Sequence, residues 1–248
     1  MGIELTYVGH ATVAVELDGV RLLTDPFLRS RLGPLRRHGP PPAATVGEGL
    51  EAVLVSHLHR DHADLPSLRR LGRGSAMVVA AGAGDFFSSR GFAEVTELGS
   101  GDSTGVGAVT VTATKAVHAG GRRRGSDGPA AGFLIDGSRR VYFAGDTDVF
   151  DGMAELGGVD VALLPIWGWG PNLGSGHMNP ERAARAAALI APRVVVPIHW
   201  GTLYPWYLER LRSGPLHGPP RAFAHWLERL APQVELRVLA PGESMSLP

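Results

Sequence analysis

The chain has 248 residues, 44% hydrophobic and 19% charged, which can fill a globular core and does not suit a disordered chain. Its 24 lysines and arginines equal its 24 aspartates and glutamates, so no overall field draws it to nucleic acid or to an acidic membrane. Cysteine is absent, which excludes disulfides, thiolate metal sites and a cysteine nucleophile.

The opening residues lack the basic, apolar and small-residue succession of a secretory signal, and no apolar run approaches the ~18 residues of a membrane span. A soluble cytoplasmic protein without stable membrane insertion is the expectation. Residues 3–8 and 12–17 predict strands, Asp18-Gly19 a tight hairpin turn, and residues 20–24 the returning strand. Residues 29–49 are rich in Pro, Gly and Arg and have no period. They predict a long surface loop, either a plain excursion or a functional one. A buried strand is predicted at 52–56 and a helix at 64–71, then strands at 77–80 and 93–98 around a short helix at 85–89. Further strands follow at 109–114, 132–136 and 140–144, a short helix at 149–156, and apolar strands at 159–164 and 194–198. The helix between these last two has a marked start, with Asn179 placed to cap it, Pro180 in its first turn and Glu181 at its positive end. A helix at 221–230 and a strand at 234–239 complete the pattern. Strands and helices mix without linker, repeat or composition break, so one α/β domain over residues 1–248 is expected.

The chemistry gathers in Ser56-His-Leu-His-Arg-Asp-His62, directly after the strand at 52–56. In extended chain, residues i and i+2 point the same way, so His57 and His59 can grip one ion. Asp61 and His62 fall where a helix would start and point to a neighbouring position. Imidazole and carboxylate together suit zinc, manganese or iron, with zinc favoured where histidine dominates. A chance occurrence of this run in a chain of such composition is on the order of one in a thousand, too rare for a solvated histidine-rich turn. Three more ligand-type residues follow predicted strands: His118, Asp146 in Phe143-Ala-Gly-Asp-Thr-Asp, and His199 in Val196-Pro-Ile-His-Trp-Gly-Thr. Each alone could be a core histidine or a turn aspartate. Strand ends collect on one edge of a sheet, where α/β proteins build their sites.

These residues, with Val8-Gly-His-Ala-Thr12, Thr24-Asp-Pro26, Gly176-His-Met-Asn-Pro-Glu181 and Ile198-His-Trp-Gly-Thr202, resemble the metallo-β-lactamase fold superfamily in order and over nearly the whole chain. The resemblance is closest to the branch of N-acyl-phosphatidylethanolamine phospholipase D and L-ascorbate-6-phosphate lactonase. It implies a four-layer αβ/βα sandwich with two divalent ions at one edge. It further implies that His57, His59 and His118 hold the first ion, Asp61, His62 and His199 the second, and that Asp146 bridges them. Two such ions share a water, lower its pKa toward neutrality and polarise a carbonyl or phosphoryl oxygen. Asp61 could also orient the hydroxide or relay its proton.

Around this set, Asp25 is either an acceptor behind a ligating imidazole or a turn residue, and His10 either lines the site or hydrogen-bonds within the fold. His38, His217 and His225 are given no role. Trp167, Trp169 and Trp200 are candidates for an apolar rim, and Arg122-Arg-Arg124 is either a solvated patch or a handle for an anionic substrate. His177 lies in the glycine-rich loop before the capped helix. It is expected to act on the substrate as hydrogen-bond donor or general acid, without binding metal. A phosphodiester or a phosphorylated small molecule is the expected substrate. The alternatives are a lactone or another carboxylic ester or amide, and a metal-stabilised binding module without turnover. RNA processing fits the neutral charge poorly. Flavodiiron oxygen reduction would want a Glu in place of His59.

Overall fold

The structure, a computed structural model, describes residues 2–121 and 128–248, so the arginine patch at 122–124 lies outside the described residues. In chain order the strands are β1 (Ile3–Gly9), β2 (Thr12–Leu17), β3 (Val20–Thr24), β4 (Arg31–Leu32), β5 (Leu35–Arg37), β6 (Ala52–Val55), β7 (Ala76–Ala80), β8 (Val95–Leu98) and β9 (Ser103–Val106). They continue with β10 (Val109–Lys115), β11 (Ala131–Asp136), β12 (Arg140–Phe143), β13 (Val161–Pro165), β14 (Val194–Ile198), β15 (Leu203–Pro205), β16 (Glu235–Leu236) and β17 (Ser244–Leu247). The helices are α1 (Leu65–Leu71), α2 (Gly84–Ser88), α3 (Pro180–Ile190), α4 (Gly214–His217) and α5 (Pro219–Leu230).

Two seven-stranded sheets, ordered β17-β1-β2-β3-β6-β7-β8 and β16-β14-β13-β12-β11-β10-β9, pack face to face. Each is antiparallel on one side and parallel on the other, with β3, β6, β7 and β8 parallel in the first and β12, β13, β14 and β16 in the second. Period-two alternation builds the core between them: Ile3, Leu5 and Tyr7 from β1 and Val13, Val15 and Leu17 from β2 meet Val111, Phe133, Ile135 and Phe143 of the other sheet. The parallel strands are buried on both faces. Val161 and Leu163 of β13 enter this core, whereas Ala162 and Leu164 pack with Ala183, Ala187 and Phe223 of α3 and α5. On the opposite outer face, Val53 and Val55 meet Leu68 of α1 and Phe87 of α2. The result is the four-layer αβ/βα sandwich.

The α3 start is as expected. Asn179 accepts from the Arg182 N–H at 2.9 Å, and Pro180 and Glu181 fill the first turn. The Asp18-Gly19 turn has positive φ at both residues, +53° and +83°, as a two-residue hairpin of the right twist requires. Three readings need correction. The region 29–49 is no plain excursion: β4 and β5 form a hairpin that pairs with β15 in a separate three-stranded sheet. The helix at 149–156 is a 3-10 helix, Asp151–Leu156, and the strand at 234–239 shrinks to β16. The edge strands β9 and β17 carry Ser, Thr and Gly rather than an apolar run, which is why they escape a pattern reading.

Candidate metal centre

The candidate ligands leave the C-terminal ends of strands from both sheets, where the two sheets open at one edge. His10 follows β1, Asp25 follows β3, and His57 follows β6; from the second sheet, His118 follows β10, Asp146 follows β12 and His199 follows β14. Two close approaches shape the edge. Gly145, at φ +60°, brings Asp146 against the first sheet, where a Cβ would lie 2.6 Å from the Ser56 Cβ. Gly176, at φ +71°, lets its carbonyl accept a hydrogen bond from His118 Nδ1 at 2.9 Å.

All seven expected ligands come together, in two groups whose donor atoms lie within 4.8 Å of one another. The first is His57, His59, His118 and Asp146; the second is Asp61, His62, His199 and, additionally, His10. Asp146 spans both. Its Oδ2 is 3.8 Å from His57 Nε2 and 3.2 Å from His62 Nε2, and its Oδ1 is 3.2 Å from His199 Nε2. His57, Asp61, His62, Asp146 and His199 are buried, while His59 and His118 are half-buried.

The outward nitrogens of the rings are tied back. His62 Nδ1 bonds Asp25 Oδ2 at 2.6 Å, His199 Nδ1 donates to the Trp167 carbonyl at 3.0 Å, and His57 Nδ1 meets Ser56 Oγ at 2.9 Å. Asp25 also accepts from the Ser56 amide and hydroxyl, so it stands behind the centre and is not a plain turn residue. Ser56 was not singled out from sequence; its only sign there was its place between the strand and His57. A neutral imidazole has one N–H, so these bonds leave Nε2 lone pairs aimed inward. His62 Nε2 and His199 Nε2 then face each other at 3.0 Å, a contact that a cation between them or a proton on one ring relieves. The buried Nε2 atoms of His57 and His59 and Asp146 Oδ1 have no hydrogen-bond partner among the described residues. This donor set fits metal ions.

Charge tells the same story. Burial drives His57 well below the ordinary imidazole value, His59 to about 4 and His10 to about 3, so these rings are neutral. Burial also opposes charge on Asp61 and Asp146, but the surrounding histidines, His62 for the one and His199 and His62 for the other, outweigh it and hold both carboxyls well below their usual range. On His62 burial loses to the Asp146, Asp61 and Asp25 carboxylates, which raise its pKa well above normal. The cluster therefore demands positive charge at its centre, from protons or from metal.

A cavity of about 460 Å³ opens over the centre. His59, Asp61, Asp146, His177 and His199 line it at the metal end. Leu32, Gly33, Pro34 and Leu35 of the β4–β5 hairpin form one wall, and Trp169 and Leu173 of the glycine-rich loop another. His177 Nε2 lies 3.3 Å from Asp146 Oδ2, with its Nδ1 bonded to the Ser175 carbonyl at 3.0 Å. Of the three candidate rim tryptophans, only Trp169 lines the cavity; Trp200 packs with the α3–α5 layer, and Trp167 bonds the Gly170 carbonyl. His38 pairs with Glu209, and neither His217 nor His225 joins the groups.

Comparison with known proteins agrees with this geometry. Residues 20–200 match the family described as the Beta-lactamase superfamily domain. A protein of Rubrobacter xylanophilus named as a metal-dependent hydrolase is 35% identical over 257 residues, covering 98% of this chain and 96% of the relative. An N-acyl-phosphatidylethanolamine-hydrolyzing phospholipase D of Caenorhabditis elegans is 33% identical, covering 84% of this chain and 67% of the relative. Of three mycobacterial relatives, each 32% identical, the chain spans 61%. Among solved structures, Igni18, a metallo hydrolase from Ignicoccus hospitalis, superposes with a TM-score of 0.77 at 26% identity, covering 100% of this chain and 99% of the other.

Proposed function

We propose, from the premise that this chain belongs to the β-lactamase superfamily and is one of its metal-dependent hydrolases, that it holds two divalent ions and cleaves a phosphodiester or phosphorylated small molecule. The observation that carries the two-ion reading is Asp146, one carboxylate within reach of donors from both groups. His57, His59 and His118 would hold the first ion, Asp61, His62 and His199 the second, with Asp146 shared. Charge balance supports the count: two divalent cations offset the buried carboxylates Asp25, Asp61 and Asp146 and leave room for one further anion. Zinc is favoured by the histidine-rich set, and manganese or iron are compatible with it. When bound, the ions supply an activated water at neutral pH and polarise the substrate oxygen that gains charge.

The chain's own residues do the rest. Asp61 orients the attacking water and can take its proton. His177 stands at the cavity wall, half-buried, where Asp146 offsets the burial penalty and raises its pKa. It donates to the oxygen that develops charge, or protonates the leaving group. Arg60 lines the same cavity, is exposed, and makes no ion pair among the described residues, so it is available to an anionic substrate. The apolar walls from Leu32, Leu35, Trp169 and Leu173 suit a substrate with a compact apolar part. The resemblance to the nematode phospholipase, which acts on a phosphodiester, supports the same class. No helix among the described residues is long and apolar enough to cross a membrane. The test is turnover of an aryl phosphodiester by zinc-, manganese- or iron-loaded protein, beside a lactone panel. Metal-dependent phosphodiester cleavage is expected; lactone turnover without it would overturn the substrate class.

A further inference from the structure

We infer that His10 is a positioning residue that aims the Asp61 carboxylate at the second ion. The inference rests on the two-ion reading above. His10 sits in the turn between β1 and β2, a place where Gly, Asn or Asp would adopt the backbone without cost. Its φ is +59° in a chain where few non-glycine residues are positive. The ring is not a surface accident, since only 1% of the residue is exposed. A bulky residue kept in the left-handed region and fully buried needs compensation from its surroundings.

That compensation is directed at one half of the centre. His10 Nε2 is 2.9 Å from Asp61 Oδ2, closer than His62 and His199, which stand at 3.6 and 3.7 Å from the same oxygen. The His10 carbonyl accepts from the His199 amide at 2.8 Å, its own amide donates to Thr202 Oγ1 at 2.8 Å, and its ring lies over that of His199 with centroids 4.0 Å apart. One turn residue therefore contacts Asp61 and His199, has its ring centroid 5.5 Å from that of His62, and among the described residues meets none of the first group's histidines. A carboxylate turns readily about its last bond, and an N–H held on one oxygen lone pair fixes its plane and leaves the other lone pair for a cation. The geometry makes His10 the counterpart, for Asp61, of what Asp25 is for His62.

The test measures stepwise zinc affinity by chelator competition on the wild-type protein and two variants. His10→Asn tolerates the left-handed backbone but is too short to reach Asp61, whereas His10→Gln restores a donor of longer reach. The expected result is a roughly 10- to 100-fold loss at the second site in the Asn variant, an unchanged first site and partial recovery in the Gln variant. With cobalt at saturation, the visible spectrum should match the wild type, because no ligand is lost. A changed spectrum at saturation would make His10 a ligand and overturn the inference. So would a lowered metal-free Tm with unchanged affinities, which would mark a purely structural residue. If the wild-type protein takes only one ion, the two-ion reading fails first; two ions in the wild type and unchanged affinities in the Asn variant refute the role of His10 alone.

Discussion

The two donor groups differ in how they are made. The first, His57, His59, His118 and Asp146, is open: His59 and His118 are half-buried, and His118 leans on a backbone carbonyl of a glycine-rich loop. The second, with Asp61, His62 and His199, is buried and braced from behind by Asp25 and His10, and His10 and His199 both lie in the left-handed region. A buried, braced set holds its geometry before an ion arrives, whereas an open set leaves room for substrate and for exchange with solvent. On the proposed two-ion reading, the first group would hold the more accessible ion and the second the more rigidly held one.

The largest expected effect would come from the residue the groups share. Asp146→Asn should weaken both ions at least tenfold and abolish turnover, as read by metal analysis beside rates; full occupancy and full rate would make Asp146 a turn residue. Next, Asp25→Asn should separate the groups. It exchanges one of the two acceptor oxygens behind His62 for an amide donor. Chelator competition is expected to show a roughly 10- to 100-fold loss at the second ion and a smaller one at the first, reached through Ser56 and His57. Equal loss at both ions would erase the contrast drawn above. His177→Gln should leave both ions and the fold intact and lower kcat by roughly 10²-fold, the scale of a lost general acid. Lost metal would instead make His177 a ligand, and an unchanged rate would leave it as a brace for α3. Smallest is Asn179→Ala, which removes the α3 cap and should cost about 1 kcal/mol in denaturant unfolding without touching metal affinity. A change in metal affinity there would mean that α3 positions the loop carrying His177 more tightly than its contacts suggest.

Half of each group was legible because sequence neighbours become spatial neighbours at a strand end: His57 and His59 of the first and Asp61 and His62 of the second stand in one run after an apolar strand. The later candidate residues were legible because each follows a predicted strand. The bracing was not. His10 and Asp61 are 51 residues apart, and a Gly-His-Ala turn reads the same whether its ring faces solvent or a carboxylate. Asp25 before a proline looks like any turn residue until Ser56 and His62 close on it. The cavity wall escaped for a similar reason. β4 and β5 are short, rich in Arg and joined by Gly33-Pro34, and they become strands by pairing with each other and, for β5, with β15 far along the chain. Long-range pairing leaves no local period to read.

The central claim is that one site holds two ions through a shared Asp146. It is tested most directly by metal analysis of the protein after removal of all metal and reconstitution in parallel with zinc, manganese and iron. The account predicts close to two ions per chain with at least one of these metals, and loss of activity on chelation. One ion or fewer with every metal would contradict it.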